Sequence, residues 1–277
     1  MKLDRSYIPE TDNKYAEYTD AHIRPIEYND GTVFDENYPY IDKSKKFKRN
    51  QRWVRFLLRI MIFPFSYVRM GLRIRGKENL KKNKELLKQG CLSISNHINM
   101  WDYIAVMNAV KPFKPHVLVL KDNVSDKSGN LVRYVGGIPI PKGDDKAMKA
   151  YNKAIKDMLI NDGGWLHLYP EASMWEWYRY IRPFKKGVGH YAKQVDKPVL
   201  PLAFSYRKPS WIRKHLFKQP AAINLFIGEP LFINKELPED EQVTDLVSRC
   251  HQAVTELAGI DNNPYEAIYH DSKRIEE

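Results

Sequence analysis

From residue 90 onward the chain alternates short apolar runs with helix-period segments, and this alternation constrains its fold more than any other feature. CLSIS (91–95) has the pattern of a short buried strand, and HVLVL (116–120), WLHLY (165–169), VLPLAF (199–204) and INLFI (223–227) read as further strands. Between and after them come helical patterns. Residues 101–110 (WDYIAVMNAV) form one. Residues 144–160, with Ala147, Tyr151, Ala154 and Met158 on one stripe, form another. Residues 239–258, with Val243, Leu246, Val247, Cys250, Val254 and Leu257 facing inward and Gly259 as a stop, form a third. The order predicts an α/β fold, a mixed and mostly parallel sheet flanked by helices.

The first 75 residues read differently. Residues 1–50 have no sustained period and are expected to be an irregular, tyrosine-dotted arm. Residues 51–75 are expected to form an amphipathic membrane-interface segment, 76–260 the main domain and 261–277 a tail. Within the second segment, QRWVRFLLRIMIF (51–63) predicts a helix that Pro64 ends or kinks. Lys48, Arg52, Arg55 and Arg59 fall on one face, beside Trp53, Phe56, Leu57, Ile60 and Phe63. The net charge is +11, but it is not spread evenly: residues 1–40 carry nine acids and four bases, whereas 43–59 carry eight bases and no acid. One dense basic block beside an apolar face suits an anionic membrane surface better than a nucleic-acid groove. An ordinary surface helix packed on the domain is the alternative. There is no run of about 18 apolar residues to span a bilayer and no apolar core of a signal peptide at residues 1–13. The expectation is therefore a peripheral protein on the cytoplasmic face of the membrane. The two cysteines, Cys91 and Cys250, sit in core-like patterns and suggest no disulfide scaffold.

The residues best suited to chemistry are in SNHINMWD (95–102). A strand delivers Asn96 and His97 to its C-terminal end, where sites in α/β sheets are built. An imidazole titrates near neutrality and can take a proton from a hydroxyl, and it does so better when a carboxylate orients it. Asp102, five residues on, can fold back over the turn to reach His97. On spacing alone the pair is weak evidence for catalysis, and a histidine capping the helix with an aspartate in its first turn is the better reading. Glu171, following a strand and Pro170, falls at the same sheet edge; on its own it also reads as a surface carboxylate. The other histidines have no metal-ligand spacing, and no phosphate-binding glycine loop is present.

Asn96-His97, four residues and Asp102 resemble the NH-x4-D motif of the glycerolipid acyltransferases, the lysophosphatidic acid acyltransferase group. Further segments agree in order: Gly136-Gly137-Ile138-Pro139-Ile140-Pro141-Lys142, Tyr169-Pro170-Glu171-Ala172-Ser173, Phe184-Lys185-Lys186-Gly187, Pro198-Val199-Leu200-Pro201 and Ile227-Gly228-Glu229-Pro230-Leu231. The resemblance covers roughly residues 70–260. It implies direct transfer of a fatty acyl group from a thioester, acyl-CoA or acyl-carrier protein, to a hydroxyl of a lysophospholipid-like acceptor. His97 would be the general base supported by Asp102. Lys142, Glu171, Ala172 and Ser173 would bind the acceptor's phosphate. No cofactor is expected; the histidine spacing argues against a metal, and the single dense basic block against a nucleic-acid partner.

The chain also departs from that pattern. Lys142 stands where the family usually has Arg, Ala172 where it has Gly, and Met174 where it has Arg. The aromatic run Trp175, Trp177, Tyr178 and Tyr180 follows; it reads as plain core, as a lid, or as a face toward the membrane or the acceptor, and the last is the expectation. Arg179 and Arg182 are candidates for the missing charge. The altered block motivates an alternative, a catalytically altered lipid-binding protein of the same fold. The intact His97 and Asp102 speak for the enzyme.

Overall fold

A computed structural model describes Arg5 and residues 7–15, 33–120, 124 and 129–265. Residues 16–32 of the arm and 266–277 of the tail lie outside the described residues.

A seven-stranded sheet forms the frame: β1 (Arg73–Arg75), β2 (Cys91–Ile94), β3 (Pro115–Leu120), β4 (Gly137–Ile140), β5 (Trp165–Leu168), β6 (Val199–Arg207) and β7 (Ala222–Ile227). The order across the sheet is β1-β7-β6-β2-β5-β3-β4. Every pair is parallel except β6 and β7, so the mixed and mostly parallel sheet expected from the sequence is what forms. All five strands read from apolar runs are present. Strands β1 and β4 are additional. Strand β1 has only three residues and two of them are arginine, and GIPI in β4 is broken up by glycine and by a proline suited to an edge.

Residues on β2 and β5 alternate between two apolar layers. Leu92, Ile94, Leu166 and Leu168 face the helices Asp145–Ile160, Gly187–Val195 and Gln242–Ala258. Cys91 and Trp165 face the layer that includes Ala105 and Val106 of the helix Asp102–Ala109. Burial on both faces is why these strands read as continuous apolar runs. Gly259 does end the last helix, in the left-handed conformation (φ 72°) that glycine adopts without strain.

The N-terminal helix differs from expectation at both ends. It starts at Lys45, capped by the Ser44 side chain, and runs as an α-helix to Leu57. A π-helical turn (Leu58–Ile62) follows, and an α-helix resumes over Phe63–Arg69. Pro64 therefore does not end it. Proline has no N–H to give, and the widened turn, in which the Phe63 N–H reaches Leu58 O, takes up the mismatch. The basic face is also divided. Arg55 turns inward and donates to Pro115 O (3.1 Å), against a glycine, Gly136, where a Cβ would come within 2.8 Å of its guanidinium. Arg52 and Arg59 stay exposed. Trp53, Phe56, Leu57, Ile60, Met61 and Val68 are exposed on this helix. Among the described residues no helix is long and apolar enough to cross a membrane.

The described part of the arm is irregular but anchored. The Tyr15 hydroxyl and Asn13 amide both donate to Glu176 O (2.8 Å each), and the Tyr15 ring stacks on Trp175 with centroids 5.4 Å apart.

Candidate active site

Strand β2 ends at Ile94, and the next residues are pinned before the helix Asp102–Ala109 begins. The Asn96 amide pairs with β6 twice, accepting from Phe204 N (2.8 Å) and donating to Phe204 O (3.2 Å). That pairing sets where the chain leaves the sheet and projects His97 from its C-terminal edge.

Asp102 then closes the turn. It is fully buried, and its Oδ2 accepts from Ile98 N (2.6 Å) and Asn99 N (2.9 Å) and lies 3.0 Å from His97 Nδ1. Burial pushes its carboxyl up from the ordinary range, while the three donors pull the other way. A carboxylate there assigns the proton of neutral His97 to Nδ1 and leaves the lone pair on Nε2. The His97 side chain is 24% exposed, enough for a reactant to reach it. The Tyr169 ring lies nearly parallel to the imidazole, 3.9 Å between centroids and 13° between planes. Behind them His167 is held by Ser93 (3.0 Å) and Ser95 (3.3 Å); burial, and then the nearby His97, depress its pKa to about 3, so it is neutral.

Glu171 supports the same turn from the next strand. Its Oε2 accepts the His97 N–H (2.9 Å), and its Oε1 accepts the Arg182 N–H (2.9 Å). The Arg182 guanidinium pairs with Glu171 (3.0 Å), donates to Ser173 Oγ (2.7 Å) and Ser173 O, and sits over the Trp175 ring. All of Glu171, Ser173 and Arg182 are buried. Burial raises the Glu171 carboxyl, against the pull of Arg182 and the N–H donors.

The structure thus brings His97, Asp102, Glu171 and Ser173 together. Ala172 is exposed beside them with φ 64°, a left-handed position that suits the glycine usual in the resembled motif. Lys142 is exposed beyond β4 at the same edge; β4 is three strand spacings from β2, on the order of 14 Å. Two expectations need correction. Arg182 does not stand in for the missing surface arginine, because it is buried against Glu171. Trp175 and Trp177 do not face a membrane, since they are 2% and 9% exposed and their backbone N–H groups donate to His97 O (3.1 Å) and Ile98 O (2.9 Å). Tyr169 is the site residue that sequence reasoning did not weight, and Arg182 was weighed only as a replacement charge, not as the buried partner of Glu171. The only signal at 169 was aromatic character. Cys91 and Cys250 are buried free thiols with raised pKa values, Cys250 to about 12 by burial, and neither suits a nucleophile.

A buried aspartate holding a partly exposed histidine at the C-terminal edge of a covered, mostly parallel sheet fits proton transfer at an open site. Residues 71–205 match the family model described as Acyltransferase, which gives the class. The fold is similar to the crystal structure of PlsC, the 1-acyl-sn-glycerophosphate (LPA) acyltransferase from Thermotoga maritima. The TM-score is 0.50, over 79% of this chain and 85% of that chain, at 17% sequence identity. The chain thus carries an acyltransferase domain over residues 71–205, and its likeness to PlsC is one of fold.

Proposed function

We propose that this acyltransferase moves a fatty acyl group from a thioester donor, acyl-CoA or acyl-carrier protein, to a hydroxyl of a lysophospholipid-like acceptor. The observation that carries the proposal is the His97–Asp102 pair, with Nδ1 engaged and Nε2 without a hydrogen-bond partner among the described residues. His97 Nε2 takes the acceptor's hydroxyl proton as the oxygen attacks the thioester carbonyl. The C–S bond then breaks, and the imidazolium returns the proton to the departing thiolate, giving ester and free thiol. Asp102 holds the ring and stabilises its charged form. Glu171 acts as a positioning residue on the His97 backbone, with Ser173 and Arg182 shaping its turn. The exposed Ala172 and Lys142 are the parts of the resembled motifs open to the acceptor. The reaction as written uses no cofactor.

The same reading places the enzyme peripherally on the cytosolic leaflet, docked through the helix Lys45–Arg69. Its exposed tryptophan, phenylalanine and aliphatic residues beside basic ones support this.

The test is thiol release from an acyl thioester with lysophosphatidic acid as acceptor, using purified protein. His97→Ala is expected to lose about 100- to 10,000-fold in kcat, with Asp102→Asn also severe, while both stay folded. Normal turnover by His97→Ala would refute the mechanism, and an inactive but lipid-binding wild type would favour the altered binding protein. Lys142→Ala is expected to raise the acceptor KM with little change for the donor. An unchanged acceptor KM would point to an acceptor without phosphate.

A further inference from the structure

The helix Lys45–Arg69 forms a cleft where it meets the loop between Ala109 and β3. Arg52, Arg55 and Arg59 line one side and Lys111 and Lys114 the other, around a cavity of about 180 Å³. No acidic residue lines it, and none of the five bases forms an ion pair with a carboxylate among the described residues. The crowding has physical consequences. Burial, together with the charges of Lys77 and Arg59, pushes the Lys111 amine below the ordinary lysine range. Arg55 is lowered by burial as well. One of its terminal nitrogens holds Pro115 O, but its Nε is buried without a partner.

Clustered like charges that are partly removed from water are unfavourable unless an anion joins them. The aromatic rings of Phe56, Phe63 and Phe113 complete the walls, and the Lys111 amine lies 5.1 Å from the centre of the Phe63 ring. A free inorganic ion would leave those rings unused. The position of the cleft favours a lipid. It opens next to the exposed Trp53, Leu57, Ile60 and Met61. With that face sunk at the boundary of headgroups and acyl chains, the bases between it and the domain stand at the depth of lipid phosphates.

We propose that this cleft is a binding site for the phosphate of an anionic phospholipid headgroup, built jointly by the docking helix and the Lys111–Lys114 loop. It rests on the peripheral-membrane reading above and adds a defined contact to it. The enzyme is held in one orientation on the surface, because the loop is part of the domain that carries His97.

The test is co-sedimentation of the full chain with two kinds of vesicle, purely zwitterionic and containing phosphatidic acid. The double variant Lys111→Gln/Lys114→Gln lies off the helix and leaves its exposed face unchanged. Its affinity for phosphatidic acid vesicles is expected to fall about 10- to 30-fold, from two bases at roughly one order of magnitude or less each, with binding to zwitterionic vesicles unchanged. Lys45→Gln/Lys46→Gln, the same charge change at the exposed start of the helix, is expected to lose at most a few-fold. Equal losses in the two double variants would overturn the site in favour of a diffuse basic surface. A wild type that binds neither vesicle would instead overturn the membrane reading. Calorimetric titration with inorganic phosphate distinguishes the source. Binding to wild type as tight as that to the lipid, and lost in Lys111→Gln/Lys114→Gln, would reassign the cleft to a soluble phosphate ligand.

Discussion

An imidazole that must take a proton in one direction needs its plane fixed as well as its tautomer. In the mechanism proposed for this site two residues divide that task. Asp102 fixes the proton on Nδ1, and the Tyr169 ring, stacked 3.9 Å away, restrains rotation about the bond to the backbone. The division makes a prediction. Tyr169→Phe keeps the ring and is expected to stay within about threefold of wild type. Tyr169→Ala frees the imidazole and is expected to lower kcat by about 10- to 100-fold, with a smaller change in acceptor KM, since a misplaced group costs rate on this scale. Steady-state kinetics on both variants check it. An equal loss in the phenylalanine variant would mean that the hydroxyl, not the ring, matters. Arg182 shows why residue identity alone misleads. It is a cation near the site in sequence, yet its charge is spent on Glu171 and Ser173 inside the protein.

At the scale of the element, the helix Lys45–Arg69 is shaped by the conflict between its apolar stripe and Pro64. A regular α-helix would break at the proline, and the π-helical turn carries the chain past it, leaving Trp53, Phe56, Ile60 and Met61 outward. Exposing this many large side chains to water is unfavourable, and lipid is the environment that would reverse it. Trp53→Ser combined with Ile60→Ser is expected to weaken vesicle binding at least tenfold, since each buried large side chain contributes roughly 1.5–3 kcal/mol. Flotation with zwitterionic vesicles measures it, and unchanged binding would argue for packing against another partner. Arg55 belongs to a different experiment. Because it holds Pro115 O, Arg55→Ala is expected to cost about 1–3 kcal/mol of fold stability, read by urea denaturation, rather than to act mainly on the membrane.

For the molecule as a whole, buried neutral histidines tie stability to pH. His167 (fully buried) and His251 (2% exposed) have pKa values depressed to about 3 and about 4, in both cases chiefly by burial. In the unfolded chain each titrates near 6.5. A depressed folded pKa means that the unfolded state binds more protons as pH falls. The stability is therefore full above about pH 6.5 and is lost on acidification toward pH 3–4. At pH 4.5 each of the two is expected to have given up about 2–3 kcal/mol relative to pH 7. Urea denaturation at the two pH values checks this, and His167→Asn should flatten the dependence. A stability that rises toward pH 4.5 would contradict the neutral burial of these rings.

The sheet was largely readable from the chain, because strands buried on both faces, as β2, β5, β6 and β7 are, must be apolar throughout, and the half-buried β3 is apolar as well. The proximity of Asp102 to His97 was readable too, since a turn of five residues is local and a carboxylate closing it meets the imidazole. What the sequence could not carry was everything set by contacts between distant segments. Glu171 reaches the His97 backbone only because β2 and β5 are neighbours in the sheet. The inward turn of Arg55 depends on Pro115 and Gly136, far along the chain, and helical spacing alone counted it with the exposed bases. The aromatic run after Glu171 had the composition of a membrane-facing patch. Its two tryptophans are buried because their backbone pairs with His97 and Ile98, and Tyr15 from the arm stacks on Trp175. Periodicity reports which residues share a face of an element. Whether that face meets water, lipid or protein depends on the partner that arrives from elsewhere in the chain, and only the tertiary structure contains it.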